Sequence, residues 1–170
     1  MQDRNSVNSN NGERKGNREI KSTLFTKLFE DDESKVELFN ALTGADLNPD
    51  TEVLEVTLDD AIYHGKKNDL GFIIGNRFLV INEHQSTINE NMPMRELQYV
   101  ARTFETIAAA KALYKETLIK VPMPEFFVIY TGDKHWGKEY LKLSDSFMAP
   151  PVENSMELVV KSKDTVLQNQ

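Results

Sequence analysis

The chain has 170 residues, a mass of 19.4 kDa, no cysteine and a formal net charge of -7. This length fits one ordinary domain and is too short for two full ones. The longest uninterrupted apolar run, residues 126–130, is far too short to span a bilayer, which excludes a membrane-spanning protein. The lack of cysteine excludes a disulfide framework, a cysteine-ligated zinc site and a thiol nucleophile. The N-terminus lacks the apolar core of a secretory signal, so we expect a cytoplasmic protein.

The negative charge is concentrated in one segment. Residues 30–60 carry eleven acidic residues and one lysine, whereas the rest of the chain has a net charge of +3. Such a segment usually forms one solvated acidic face. A protein whose charges are separated in this way can still present a neutral or basic groove to a polyanion. The net negative charge by itself argues against binding to nucleic acid. The uneven distribution of the charge removes this objection.

The N-terminal part begins with a polar tail. Residues 1–21 contain only three apolar side chains, so we predict that this tail is disordered. Ser22 is placed to cap a short helix over residues 24–29. Asp31 or Asp32 can cap the next helix.

That second helix has apolar residues on one face and ends at Gly44, a residue type that favours the left-handed helix terminus. Residues 52–58 give a moderate strand signal. Two apolar, β-rich runs follow at 70–74 and 78–81, and the segment 75–77 between them predicts a tight hairpin.

The remaining elements are a long helix and a buried strand. Apolar residues recur at helical spacing from Pro93 for roughly 20 residues, and residues 126–130 predict a short buried strand. Residues 140–143 and 156–160 are candidate edge strands. The order of helix, three strands, helix and strand predicts an α/β (α+β) fold in which a mixed sheet is flanked by helices.

The second hairpin strand ends in polar residues that are unusual for a buried strand. Its apolar run continues into Asn82, Glu83, His84 and Gln85. An ionised glutamate that is buried without a partner costs several kcal/mol of folding free energy. Because side chains alternate along a strand, Glu83 and Gln85 share one face and the other two share the opposite face.

The hairpin register decides what Glu83 meets. A three-residue connection pairs it with Asp69, whereas a two-residue turn pairs Asp69 with Asn82, and the sequence leaves both open. Two neighbouring carboxylates repel each other unless a proton or a cation lies between them. Oxygen ligands of this kind suit Mg²⁺ or Mn²⁺. In the alternative interpretation Asp69 caps a turn, and Glu83 pairs with Arg95 or Arg102.

Several basic and aromatic residues are candidates for contact with a phosphate backbone. Arg95, Tyr99 and Arg102 share one stripe of the long helix, which is either a solvated face or a surface for DNA. Lys66 and Lys67, shortly before the hairpin, are further candidates.

The histidines and the tryptophan have simpler interpretations. His84 is most often a packed polar residue in such a strand, and His64 and His135 are isolated in the sequence. Trp136 lies between Lys134 and Lys138 in the sequence. Its ring either stacks on a nucleobase or packs at the edge of the sheet.

These residues belong to a set of spaced motifs at 68–69, 83–89, 91–95 and 99–102, with further likeness at 24–29, 122–130 and 141–147. The set resembles bacterial recombination-promoting nucleases, which are also described as PD-(D/E)XK nuclease family transposases. The resemblance covers residues 22–148 as one nuclease-like domain. It leaves 149–170 as a divergent C-terminal tail, which we interpret as a truncated end.

The resemblance implies a restriction-endonuclease-like PD-(D/E)XK core with the order αβββαβ, and a metal-dependent DNA endonuclease linked to recombination or to a mobile element. Asp69 and Glu83 match the two motif acids, and Gln85 stands where the superfamily pattern usually has lysine. Asp69, Glu83 and the backbone carbonyl of His84 are then expected to hold Mg²⁺ or Mn²⁺. Gln85 can orient a water molecule, but the missing positive charge must come from elsewhere, for example Arg95.

Two other functions stay open. Relatives often carry an aspartate where this chain has Ser22, so a remnant that keeps the fold as a DNA- or protein-binding domain without turnover is one alternative. An unrelated interaction domain that uses the acidic segment is the other. For the nuclease, a double-strand cut with one site per chain would require a homodimer.

Overall fold

The computed structural model describes residues 24–25, 27–56, 69–108 and 113–164, and for residues 69 and 83 it describes the backbone only. Its elements in chain order are helix α1 (Asp32–Thr43), strands β1 (Val53–Glu55), β2 (Asp69–Ile74) and β3 (Phe78–Gln85), helix α2 (Met92–Ile107), strands β4 (Met123–Tyr130) and β5 (Tyr140–Lys142), a 3₁₀ helix (Leu143–Ser146) and strand β6 (Val159–Asp164). None of the helices in these ranges is both long enough and apolar enough to cross a membrane.

The strands of the described ranges form one mixed sheet in the order β1-β2-β3-β4-β6-β5. The pairs β1/β2, β2/β3 and β5/β6 are antiparallel, whereas β4 runs parallel to both β3 and β6. The predicted α+β class with a mixed sheet and flanking helices is therefore confirmed. Because β3, β4 and β6 run in the same direction, their carboxyl ends meet at one end of the sheet.

Helix α1 has the ends that the sequence predicts. The side chain of Asp31 accepts a hydrogen bond from the Ser34 N–H at 2.8 Å and so caps the first turn. Gly44 has φ +74° and donates its N–H to the Asn40 carbonyl, which ends the helix in the left-handed conformation. Of the shorter helix before it, residues 24, 25, 27 and 28 are helical, and the predicted Ser22 cap lies outside the described residues.

The hairpin between β2 and β3 has the three-residue connection. Ile74 pairs with Phe78, and Asp69 pairs with Glu83. Gly75 and Asn76 both have positive φ values, 57° and 53°, which lets the chain reverse within residues 75–77. Of the two registers that the sequence left open, this is the one that places the two acidic positions opposite each other.

One helix packs on each face of the sheet. The buried residues of α2 pack with alternate residues of the strands, among them Ile73, Leu79, Ile81 and Val128. The buried residues of α1 pack on the opposite face, against Phe72, Ile74, Val80 and Phe127. Strand alternation therefore places positions 69, 83 and 85 on the α2 face, and positions 82 and 84 on the α1 face.

The C-terminal part differs from the sequence prediction. The strand predicted as an edge over residues 156–160 is β6, Val159–Asp164, which lies between β4 and β5. The predicted C-terminal tail, 149–170, thus contains an inner strand of the sheet. An inner strand was not expected here because the segment carries lysines at 161 and 163. The stem of Lys161 packs over the Phe127 ring, at 5.1 Å from ammonium to centroid, while its Nζ pairs with Glu125.

The bounds of two further elements also differ from those predicted from the sequence. Helix α2 has 16 residues and ends at Ile107, which is shorter than the predicted length of roughly 20. Strand β4 begins at Met123, before the apolar run that predicted it, because its first residues pair with β3 from Phe78 onward.

Candidate functional site

The site begins with the pairing of two acidic positions in the β2–β3 hairpin. Asp69 and Glu83 are direct cross-strand partners on the α2 face. Directly opposed residues in antiparallel strands have Cα atoms about 4.5–5.5 Å apart, close enough for two carboxylates to share one divalent cation. Gln85 follows on the same face, at the carboxyl end of β3.

Gln85 is buried, with 8% of its surface exposed, and its Nε2 finds no hydrogen-bond partner in the part of the chain that the structure describes. Leaving such a donor unpaired in the interior costs about 1–3 kcal/mol. The backbone of the same residue is fixed, because its carbonyl accepts the Thr131 N–H at 3.0 Å. A donor that is held in place without a partner is what a site needs to orient a water molecule or a phosphate oxygen.

His84 lies on the opposite face and is packed, as the sequence predicted. Its ring stacks on Phe25, with centroids 5.1 Å apart, and its Nε2 is 2.9 Å from the Thr131 hydroxyl. These contacts join β3 to the start of the loop after β4. The role of the His84 carbonyl as a metal ligand stays a prediction.

Asn82, which the sequence showed among the polar residues that end β3, was given no role there. It is fully buried on the α1 face, and neither polar atom of its amide has a hydrogen-bond partner among the described residues. The signal that could have found it is an amide directly after the apolar run 78–81, because a polar side chain in a central strand needs a partner.

The arginine and tyrosine stripe of α2 is not a solvated face. Tyr99 is only 7% exposed and belongs to the core, so its ring is not available to a base. Its hydroxyl lies 3.0 Å from Arg95 Nη2, and the guanidinium lies 5.9 Å from the ring centroid. Arg95 and Arg102 are half-buried. Tyr99 thus positions Arg95, while Lys66 and Lys67 lie outside the described residues.

Trp136 packs at the sheet, and its ring is too buried to stack on a base. It is 8% exposed and meets Tyr130 edge to face, with centroids 5.4 Å apart. Its Nε1 lies 3.4 Å from Glu90 Oε1, and the other oxygen of Glu90 accepts from Lys138 Nζ at 2.6 Å. Glu90, which the sequence did not single out, therefore connects the loop after β3 with the loop after β4.

This connection predicts a pH-dependent stability. The hydrogen bond from Lys138 lowers the pKa of the Glu90 carboxyl below its usual value of 4.5. A lowered pKa means that the contribution of Glu90 is complete above pH 4.5 and is lost as the pH falls through the folded-state pKa. We expect Glu90→Gln to lower the free energy of unfolding at pH 7, and the difference from the unmodified chain to shrink as the pH falls through the folded-state pKa of Glu90, in urea denaturation measured over a series of pH values. A difference that does not shrink would contradict this role of the carboxylate.

His135, which the sequence suggested is isolated, has a partner. Its Nδ1 lies 3.1 Å from Asp164 Oδ2, at the carboxyl end of β6. His64 lies outside the described residues.

The donor set at the hairpin suits an oxygen-ligated divalent cation. Two acidic positions are in register, and a buried amide whose Nε2 has no hydrogen-bond partner among the described residues follows on the same face. Among the described side chains no group of three or more histidine, aspartate or glutamate residues could hold a metal. The predicted metal centre depends on the side chains of Asp69 and Glu83. The structure describes only the backbone of these two residues, so the metal centre stays a prediction. Comparison of the chain with family models, curated proteins and solved structures finds no match.

Proposed function

We propose that the chain is a metal-dependent DNA endonuclease of the PD-(D/E)XK type that acts in DNA recombination or for a mobile element. The observation that carries this proposal is the register of the β2–β3 hairpin, which pairs Asp69 with Glu83 and leaves Gln85 two residues further along the same face. Two acids and an amide in this arrangement are the oxygen-rich set expected for metal-assisted hydrolysis of a phosphodiester.

The connections between elements also support the proposal. An antiparallel hairpin is followed by α2 and then by β4, which runs parallel to β3. This connectivity is compatible with the core that the resemblance implies. The candidate residues lie where β3 ends, beside the loops that follow β3 and β4. Function is commonly found on such loops at the carboxyl ends of strands.

The residues of this chain have distinct tasks in the proposed reaction. Asp69, Glu83 and the His84 carbonyl would hold Mg²⁺ or Mn²⁺, which supplies an activated water and positive charge toward the phosphate when bound. Gln85 donates through Nε2 to the water or to a phosphate oxygen. Arg95, fixed against Tyr99, supplies the positive charge that a glutamine at position 85 lacks.

The distribution of charge is compatible with a DNA substrate. Helix α1, with its acidic first turn, covers the face of the sheet opposite to positions 69 and 83. Lys35, the single lysine of segment 30–60, is buried and its Nζ binds Glu55 at 2.7 Å and the Glu30 carbonyl at 2.9 Å. The described part of the acidic segment, residues 30–56, is thus tied to α1 and β1, away from the face that would receive a phosphate.

Cleavage of supercoiled plasmid by the full chain tests the proposal. We expect nicked circles to form with Mg²⁺ or Mn²⁺ and none to form when the metal is removed with a chelator. A monomer with one site gives nicks, whereas a homodimer gives linear DNA. Intact plasmid with either metal at excess protein would contradict the endonuclease.

The glutamine at position 85 favours a second candidate, a domain of the same fold that binds DNA without cutting it. The lysine of the usual pattern supplies positive charge to the reaction, and Gln85 does not. In that case the plasmid is retarded in a gel but stays supercoiled.

A further inference from the structure

A cavity of about 660 Å³ lies apart from the hairpin site. It is open to solvent and is bordered by the carboxyl end of α1, the loop between β4 and β5, and the end of β6. Its volume falls within the range of about 300–1,000 Å³ that small-molecule sites occupy. Its basic lining residues are His135, Lys138, Lys161 and Lys163, and its acidic lining residues are Glu139 and Asp164.

His135 is oriented by a carboxylate that is already fixed. Asp164 is 8% exposed and accepts the Trp136 N–H at 3.0 Å in addition to its contact with His135 Nδ1. A carboxylate only accepts hydrogen bonds, so Nδ1 carries the proton and Nε2 is the second polar atom of the ring. Gly137 has φ +73°, and a Cβ at this position would lie 3.2 Å from His135 Nε2. Glycine therefore keeps that nitrogen approachable.

The lysines supply positive charge that an anion can use. Lys163 is exposed and forms no ion pair with any side chain that the structure describes. Lys161 is held by Glu125 at 2.7 Å and Lys138 by Glu90 at 2.6 Å. Solvent screens the attraction within such partly exposed pairs, so an incoming dianion can draw both ammonium groups toward it.

An aromatic side chain completes the lining. Tyr140, the first residue of β5, borders the cavity and is 56% exposed. An exposed aromatic ring is a stacking platform for a nucleobase. Leu42 of α1 adds an apolar contact on the same cavity.

We propose that this cavity binds the phosphate monoester of a nucleotide, with Lys163 at the phosphate, His135 Nε2 as an acceptor for a hydroxyl group of the sugar, and Tyr140 against the base. The cavity is larger than a bare phosphate requires and has both a cationic and an aromatic part. The inference uses residues of β5, β6 and the loop before them, and it stands whether or not the chain cuts DNA. A free nucleotide and the 5′-phosphorylated end of an oligonucleotide carry the same chemistry.

The single tryptophan of the chain, Trp136, lies between His135 and Gly137 and can report on binding. The full chain is titrated with adenosine 5′-monophosphate, with adenosine, with inorganic phosphate and with a 5′-phosphorylated oligonucleotide, followed by tryptophan fluorescence and by calorimetry. We expect saturable binding of the monophosphate and at least about tenfold weaker binding of adenosine, a difference of about 1.4 kcal/mol. Tighter binding of the oligonucleotide than of the monophosphate identifies a DNA end as the source of the phosphate, and the reverse order identifies a free nucleotide.

Substitutions of Lys163 test its contact with the phosphate. Lys163→Gln should weaken monophosphate binding at least about tenfold, whereas Lys163→Arg should keep it. Lys115→Gln, in the exposed segment after α2, is the matched control and should change nothing. Equal affinity in the unmodified chain and Lys163→Gln would overturn the proposal. So would the absence of both a fluorescence change and heat at millimolar monophosphate.

Discussion

Replacing Glu83 with glutamine is expected to abolish the metal-dependent nicking of plasmid while the chain stays folded. The hairpin register places position 83 opposite Asp69, so the substitution removes one of the two charges that would hold the cation. A loss of more than about a hundredfold in cleavage rate is the usual effect of removing one electrostatic group from a catalytic site. The rate of nicking at saturating Mg²⁺ is the measurement.

A matched variant and a stability measurement distinguish this role from that of a structural ion pair. Glu105→Gln removes the same charge from an exposed position of α2 and should leave nicking unchanged. In the alternative interpretation Glu83 pairs with Arg95 or Arg102, and its loss would lower the free energy of unfolding without affecting metal-dependent cleavage. Equal cleavage by Glu83→Gln and the unmodified chain would contradict the catalytic assignment.

Phe127→Ala is expected to give the largest loss of stability among the substitutions considered. Phe127 is fully buried at the centre of the α1 face, where it packs in the cluster that contains Val36 and Phe72. Truncating a buried phenylalanine typically costs about 3–5 kcal/mol, a large part of the 5–15 kcal/mol or so that stabilises an ordinary domain. Urea denaturation of the two proteins measures the difference.

The matched control for this substitution is Phe147→Ala. Phe147 is 38% exposed after the 3₁₀ helix, so its truncation should cost well under 1 kcal/mol, as surface substitutions usually do. A similar loss for the two variants would contradict the assignment of Phe127 to the core.

Local rules were sufficient for much of the fold. Asp31 and Gly44 mark the ends of α1 because capping depends on one or two residues and their immediate backbone. The pairing of Asp69 with Glu83 needed one further fact, the length of the turn, which the pairing of Ile74 with Phe78 shows to be three residues. The sequence left that length open because two- and three-residue hairpins both use glycine and asparagine.

Contacts between segments that are far apart in the chain could not be predicted from local sequence rules. The inner position of β6 depends on Lys161 finding both the Phe127 ring and the Glu125 carboxylate, and these partners lie more than thirty residues away. Tyr99 and Trp136 looked like candidates for contact with DNA, yet both are buried. A helical stripe does not tell which face meets the sheet, since amphipathic side chains serve either as core or as surface.

The candidate site, like the fold, could be predicted from the sequence only in part. The alternation of β3 was enough to put Glu83 and Gln85 on one face and His84 on the other. The partners of the site, however, come from other elements. Thr131 follows β4 and holds both the Gln85 carbonyl and the His84 ring. Such contacts depend on the parallel pairing of β3 and β4, which the order of elements suggests but does not fix in register.

The most direct test of the metal centre is calorimetric titration of Mn²⁺ into the full chain. The proposed site predicts uptake by the unmodified chain and by Glu105→Gln, and loss of that uptake in Asp69→Asn and in Glu83→Gln. Because the two acids would share one cation, either substitution alone should be enough to remove binding. No uptake by the unmodified chain, or equal uptake by Asp69→Asn, would contradict the account.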